Sequence, residues 1–152
     1  MKRSIAIEVI SLLFVFLFVY TSANKLLDVY KFRVQLGQSP LLTQIAWFAT
    51  WFVPLIELVV SVLLVISRLR LMGLLGAFGL MTLFTVYIIY ILQFSEYIPC
   101  ACGGVLQSLG WTEHLIFNIT FILLAVIGIV LQSNEHKEYQ TNKLLRIKAN
   151  EK

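Results

Sequence analysis

The stretch LMGLLGAFGLMTLFTVYIIYILQF, Leu71 to Phe94, carries no charged residue. As a helix rising about 1.5 Å per residue it is long enough to cross the roughly 30 Å hydrocarbon core of a bilayer. It lacks the polar–apolar alternation of a membrane barrel strand. Only helices and closed barrels satisfy their backbone in lipid, so it reads as a membrane-spanning helix. Three more segments read the same way: Ile5 to Ala23, Ile45 to Ile66 and His114 to Leu131. The expected fold is all-α, a polytopic membrane protein with a four-transmembrane-helix bundle and short interfacial helices.

Composition agrees. The chain has 152 residues, 59% hydrophobic and 13% charged, with a mean hydropathy of +0.87. A soluble domain is nearer half apolar and about a quarter charged. The bilayer is therefore the first partner, and no room is left for a soluble catalytic domain. The net charge of +4 sits mostly at the ends, which argues against nucleic acid as a partner. Two regions are expected: residues 1–131 as the four-helix membrane domain and residues 132–152 as a polar cytoplasmic tail.

Lysine and arginine placement orients the bundle. Nine of the 12 basic residues fall on one side of a four-helix arrangement: Lys2, Arg3, Arg68, Arg70, Lys137, Lys143, Arg146, Lys148 and Lys152. Lys25, Lys31 and Arg33 fall on the other. The positive-inside rule then puts both termini in the cytoplasm and the third loop outside. In a bacterium this means the inner membrane, with the third loop on the oxidising periplasmic side. A cleaved signal peptide ending near Thr21-Ser22-Ala23 is a competing reading of the first segment. Glu8 and the segment's spanning length count against it, and either reading leaves the first loop outside.

Smaller signals organise the connections. Lys25 to Arg33 has the apolar spacing of an interfacial helix, and Gly37 and Pro40 end it. Trp47 and Trp51 suit an aromatic belt, and Pro54 is expected to kink the second span. Gly73, Gly76 and Gly79 form a small-residue stripe for close helix approach. Gly104 to Leu109 reads as a helical turn or two at the surface. Thr112 is the expected N-cap of the fourth span, with Glu113 at its positive end. The tail from Gln132 reads as a short helix or as disordered chain.

The chemistry centres on CACGG. Cys100 and Cys102 are the only cysteines, on the outward segment between the third and fourth spans. A single intervening residue gives a small, strained and easily reduced disulfide ring. The functional reading is a redox-active dithiol, with Cys102 before a possible helix N-terminus that lowers its thiol pKa. The alternatives are a structural staple, which closes almost no loop, and a metal site, for which further ligands are wanting.

Glu57 lies near the middle of the second span, where a charge is costly and a partner is expected. It reads as a proton carrier, as a hydrogen-bonding group for a quinone-like ligand, or as a neutral carboxyl tying helices together. His114 and Asn118 lie one turn apart. His114 reads either as a base toward a thiol of the adjacent loop or as an ordinary interfacial histidine in water. Asn118-Ile119-Thr120 matches a glycosylation sequon but lies within membrane depth. Lys25 pairs either locally with Asp28 or with a bundle carboxylate. Glu8 reads as reaching water or pairing with Arg68 or Arg70.

Several of these pieces together resemble the MauE/DoxX family of small four-helix membrane proteins, over about residues 8 to 131. They are Ser22-Ala23-Asn24-Lys25-Leu26 with Asp28, Phe32 and Ser39-Pro40-Leu41-Leu42. Pro54-Leu55-Ile56-Glu57-Leu58 resembles the family's Pro-x-x-Glu helix. CACGG followed by Leu109-Gly110-Trp111-Thr112-Glu113-His114 is closer to the redox-associated MauE-like branch. The resemblance implies a four-helix bundle. Its MauE side implies methylamine utilisation, where the maturing dehydrogenase small subunit needs many disulfides. Its DoxX side implies quinone-linked sulfur oxidation. The chain lacks a CXXC, so the resemblance does not extend to quinone-coupled disulfide-forming enzymes.

The leading functional expectation is a relay between an extracytoplasmic thiol protein and a membrane electron acceptor. Cys100, Cys102 and His114 are its candidate catalytic residues, and Glu57 is the candidate for binding a quinone. The rivals are a non-catalytic assembly or anchoring subunit and a small-solute transporter using Glu57.

Overall fold

The computed structural model describes residues 2–37, 43–94 and 111–150. Five helices and one short 3-10 turn appear, with no strand among the described residues. They are α1 (Lys2–Leu27), α2 (Val29–Gly37), the turn Thr43–Ile45, α3 (Ala46–Val65), α4 (Arg70–Phe94) and α5 (Trp111–Asn150). Four spans are long and apolar enough to cross a membrane: Ser4–Leu27, Thr43–Val65, Arg70–Tyr90 and Thr112–Glu135. The expected all-α, four-span architecture is therefore present.

The spanning helices form a ring in which α1 packs on α3, α3 on α4, α4 on α5 and α5 on α1. Close contacts fix their directions. Gly73 of α4 faces Leu64 of α3, Gly76 faces Val60, and Gly128 of α5 faces Leu74 and Ile10. Ring neighbours thus run antiparallel. The ends of α1 and α4 share one end of the bundle with the starts of α3 and α5.

The glycine stripe is shorter than its spacing implies. A Cβ at Gly73 would stand 2.8 Å from the Leu64 backbone nitrogen, and one at Gly76 would stand 3.0 Å from Val60. One at Gly79 would meet nothing within 4 Å. Gly73 and Gly76 allow the close approach, while Gly79 lies on an exposed face.

Three boundaries differ from expectation. α1 continues past Ala23 to Leu27, carrying Lys25 on the spanning helix itself. The interfacial helix is Val29–Gly37, started by Asp28, whose carboxylate accepts the Lys31 N–H at 3.1 Å, as an N-cap does. α5 starts at Trp111 and runs without a break to Asn150. Thr112 therefore lies inside its first turn, and the chain from Gln132 onward prolongs the fourth span. At 40 residues α5 is about 60 Å long, twice the hydrocarbon thickness. Pro40, the CACGG cysteines Cys100 and Cys102, and the segment Gly104 to Leu109 lie outside the described residues.

The core is divided lengthwise. Toward the start of α1 it is mainly apolar: Ile10, Phe14, Leu17, Phe18, Val60, Leu64, Leu74, Ala77, Met81 and Ala125, with buried Ser11 and Ser61 each donating to a carbonyl of its own helix. Phe14 meets Phe121 edge-on at 5.3 Å between ring centroids, and Phe117 lies 4.5 Å from Phe121. Toward the other end the buried residues are polar: Thr21, Ser22, Lys25, Glu57, His114 and Asn118. α2 packs on the start of α3 there through Phe32, Leu36, Ala46 and Ala49. Trp47 and Trp51 point outward, in keeping with a lipid-facing aromatic pair.

Candidate functional site

Glu57 is the centre of the polar half. It sits about 16 Å along α3 from Ala46 and is fully buried. Its carboxylate meets a row of donors from the last turns of α1. Lys25 Nζ lies 2.5 Å from Oε1. Ser22 Oγ lies 2.8 Å from Oε2, and Thr21 Oγ1 lies 3.3 Å from it. Each hydroxyl has one proton and a second acceptor in reach. Ser22 also faces the Pro54 carbonyl at 3.3 Å, and Thr21 faces the Phe18 carbonyl at 3.3 Å. Helical spacing explains the row, since residues three and four apart share a face.

The lysine is as enclosed as its partner, 6% exposed against 0%. Its ammonium lies 5.4 Å from the Phe84 ring centroid and 5.8 Å from that of Phe32, within reach for cation–π attraction. Of the two pairings left open for Lys25, the structure selects the bundle carboxylate. The tie between helices is thus the close Lys25–Glu57 pair with two hydroxyl supports. Either charge alone would cost about 2.5–3.5 kcal/mol or more at the bilayer centre.

α5 closes the far side. His114 and Asn118 are each 3% exposed, so His114 is no interfacial side chain in water. The antiparallel ring turns its face of α5 inward, a fact that local sequence cannot supply. A cavity of about 40 Å³ has Thr21, Lys25, Glu57, His114 and Asn118 in its lining, together with Phe84 and other apolar side chains. Among the described residues, His114 Nδ1 and Asn118 Nδ2 have no hydrogen-bond partner. Such orphaned buried groups are rare and point to an unseen partner.

The arrangement holds charge, offers donors and has space for small molecules. The cavity of about 40 Å³ is small beside ligand pockets, which run from roughly 300 Å³ upward. Both oxygens of Glu57 are also already engaged by α1. No group of three or more acidic, histidine or cysteine side chains capable of holding a metal occurs among the described residues.

Of the sequence-derived site residues, Glu57 and His114 come together around one cavity. Cys100 and Cys102 lie outside the described residues. Phe94 and Trp111, the described residues that flank their segment, lie at the same bundle end as His114. Thr21, Ser22 and Asn118 as members of the site were missed as such. The signal was available: small polar residues one turn before Lys25, and Asn118 one turn after His114.

The family model described as methylamine utilisation protein MauE matches residues 3–131 of the chain. No curated protein and no solved structure matches it significantly.

Proposed function

The chain belongs to the methylamine utilisation protein MauE family, and from that membership we propose that it is a thiol–disulfide relay of the bacterial inner membrane. The partner is an extracytoplasmic protein whose cysteines need oxidation, as a maturing dehydrogenase subunit does. In this reading both termini are cytoplasmic, and Cys100 and Cys102 face the periplasm. The observation that supports it most is the buried ionisable cluster of Lys25, Glu57 and His114. Ionisable side chains inside a membrane bundle mark functional sites by default, and this one lies at the bundle end where the cysteine-bearing connection leaves and returns.

The exchange balances without a further reagent. A partner thiolate attacks one sulfur of the Cys100–Cys102 disulfide, forms a mixed disulfide and frees the other cysteine as thiolate. The partner's second thiol then attacks its own sulfur in the mixed disulfide. The partner leaves oxidised. The pair is left as two thiols, holding the two electrons and two protons taken from the partner. His114 serves the pair as base, and Cys102 is the cysteine that forms the mixed disulfide with the partner. Re-oxidation belongs to a membrane electron acceptor.

Single variants Cys100→Ser and Cys102→Ser, produced in the native membrane, test the proposal. The expected result is loss of partner oxidation in both, with a trapped mixed disulfide on a non-reducing gel in one. A membrane-impermeant maleimide should label the remaining thiol in intact spheroplasts. Normal partner oxidation in the double serine variant, with no trapped species in either single variant, overturns the relay in favour of a passive assembly subunit.

A further inference from the structure

Beyond Leu27 the chain keeps to the course of α1. The Asp28 N–H donates to the Asn24 carbonyl and the Phe32 N–H to the Asp28 carbonyl, so α2 prolongs the antiparallel pairing of α1 with α3. Ser22 bonds the Pro54 carbonyl and the Glu57 carboxylate, and Phe32 and Leu36 pack with Ala46 and Ala49. Antiparallel helices share one rise per residue, so this register sets Leu27 level with Trp51, Tyr30 with Phe48 and Lys31 with Trp47. On one side α2 buries Phe32 and Leu36. On the other, Leu27 is 86% exposed, Tyr30 80% and Val34 42%. Their spacing of three and four makes them one ridge. Lys31 and Arg33 beside it are exposed as well, and the Asp28 carboxylate is turned to the Lys31 backbone N–H.

Trp47 and Trp51 are exposed on α3, and tryptophan at the end of a spanning helix marks the headgroup level of a bilayer. The ridge lies at that level and continues the lipid-facing surface of the spans. An apolar helix face flanked by Lys and Arg suits the boundary between acyl chains and headgroups. Basic side chains there attract anionic lipid, and a guanidinium matches a phosphate with two parallel hydrogen bonds. We propose that α2 is a binding site for an anionic phospholipid in the leaflet at this end of the bundle. Lys31 and Arg33 hold the headgroup phosphate, and Leu27, Tyr30 and Val34 lie along the acyl chains. The site is independent of the cysteine exchange and of which end of the bundle faces the cytoplasm.

The full-length chain carrying Trp111→Phe, in phosphatidylcholine nanodiscs, reports on the site through the fluorescence of Trp47 and Trp51. A minor fraction of phosphatidylglycerol with brominated acyl chains should quench them more strongly than the same fraction of brominated phosphatidylcholine. That preference should fall roughly fivefold for each basic side chain removed, in Lys31→Gln, Arg33→Gln and the double variant. It should also weaken with added salt, as an exposed charge contact does. Both side chains are exposed, so helix content by circular dichroism should match the parent. Arg68→Gln, at the opposite end of the bundle, should keep the full preference. Equal quenching by the two lipids in the parent overturns the site. A parent-like preference in the double glutamine variant overturns its placement on α2. Weak quenching by both lipids, with dimers captured by cross-linking, gives the ridge to a second copy of the chain and overturns the proposal as well.

Discussion

The apolar and polar halves of the bundle are made from the same four helices, yet different forces hold them. Around Phe14, Leu64, Leu74 and Ala125 the helices meet by shape. Lipid tails are as apolar as these side chains, so burial there gains little and close packing supplies the attraction. Gly73 against the Leu64 backbone is the clearest instance. Around Glu57 the helices meet by charge. The Lys25–Glu57 pair, with Ser22 and Thr21, ties α1 to α3 by groups that are each unfavourable in hydrocarbon when alone. The apolar half therefore tolerates substitution in proportion to volume, and the polar half in proportion to uncompensated charge. A buried ion pair of this kind is weak evidence for stability alone.

The comparison breaks most visibly at Lys25. Lys25→Met leaves the Glu57 carboxylate buried without its counter-charge and should destabilise the bundle by about 3–5 kcal/mol. Lys25→Met combined with Glu57→Leu should recover most of that loss, since it removes both charges. Reversible unfolding in mixed micelles measures both. A double variant as unstable as the single one would show that shape, not charge, governs this half as well.

A smaller effect is expected in the apolar half. Gly73→Ala puts a methyl group against the Leu64 backbone at 2.8 Å and should cost about 1–3 kcal/mol, as overpacking does. Gly79→Ala, with open space around it, should stay within about 0.5 kcal/mol of the parent. Equal effects at the two glycines would undo the assignment of close approach to Gly73. A modest effect is expected at Ser22. Ser22→Ala removes one neutral donor from a carboxylate that keeps Lys25 and Thr21, and interhelical hydrogen bonds in membranes average about 0.6 kcal/mol. A loss as large as that of Lys25→Met would make the hydroxyl, rather than the ammonium, the principal tie.

Much of this was legible in the chain. The uncharged run from Leu71 to Phe94 and its three companions determined an all-α bundle, because a backbone in lipid has almost no alternative to the helix. The Pro54 to Leu58 stretch and CACGG pointed to MauE, and the family match over residues 3–131 agrees with that side of the resemblance. Glu57 announced itself as a buried carboxylate by its position alone. Its partner did not. Lys25 is 32 residues away in sequence, and whether it turns to Asp28, to water or to Glu57 depends on how far α1 continues and which face it shows to α3. The continuation of α1 to Leu27 and the antiparallel ring decided that. The same ring turned His114 and Asn118 inward, although the end of a spanning helix commonly lies in water. Hydropathy is a property of each segment and reads directly from its residues. Pairing across helices depends on rotation and register between segments, which packing selects only once all four are together.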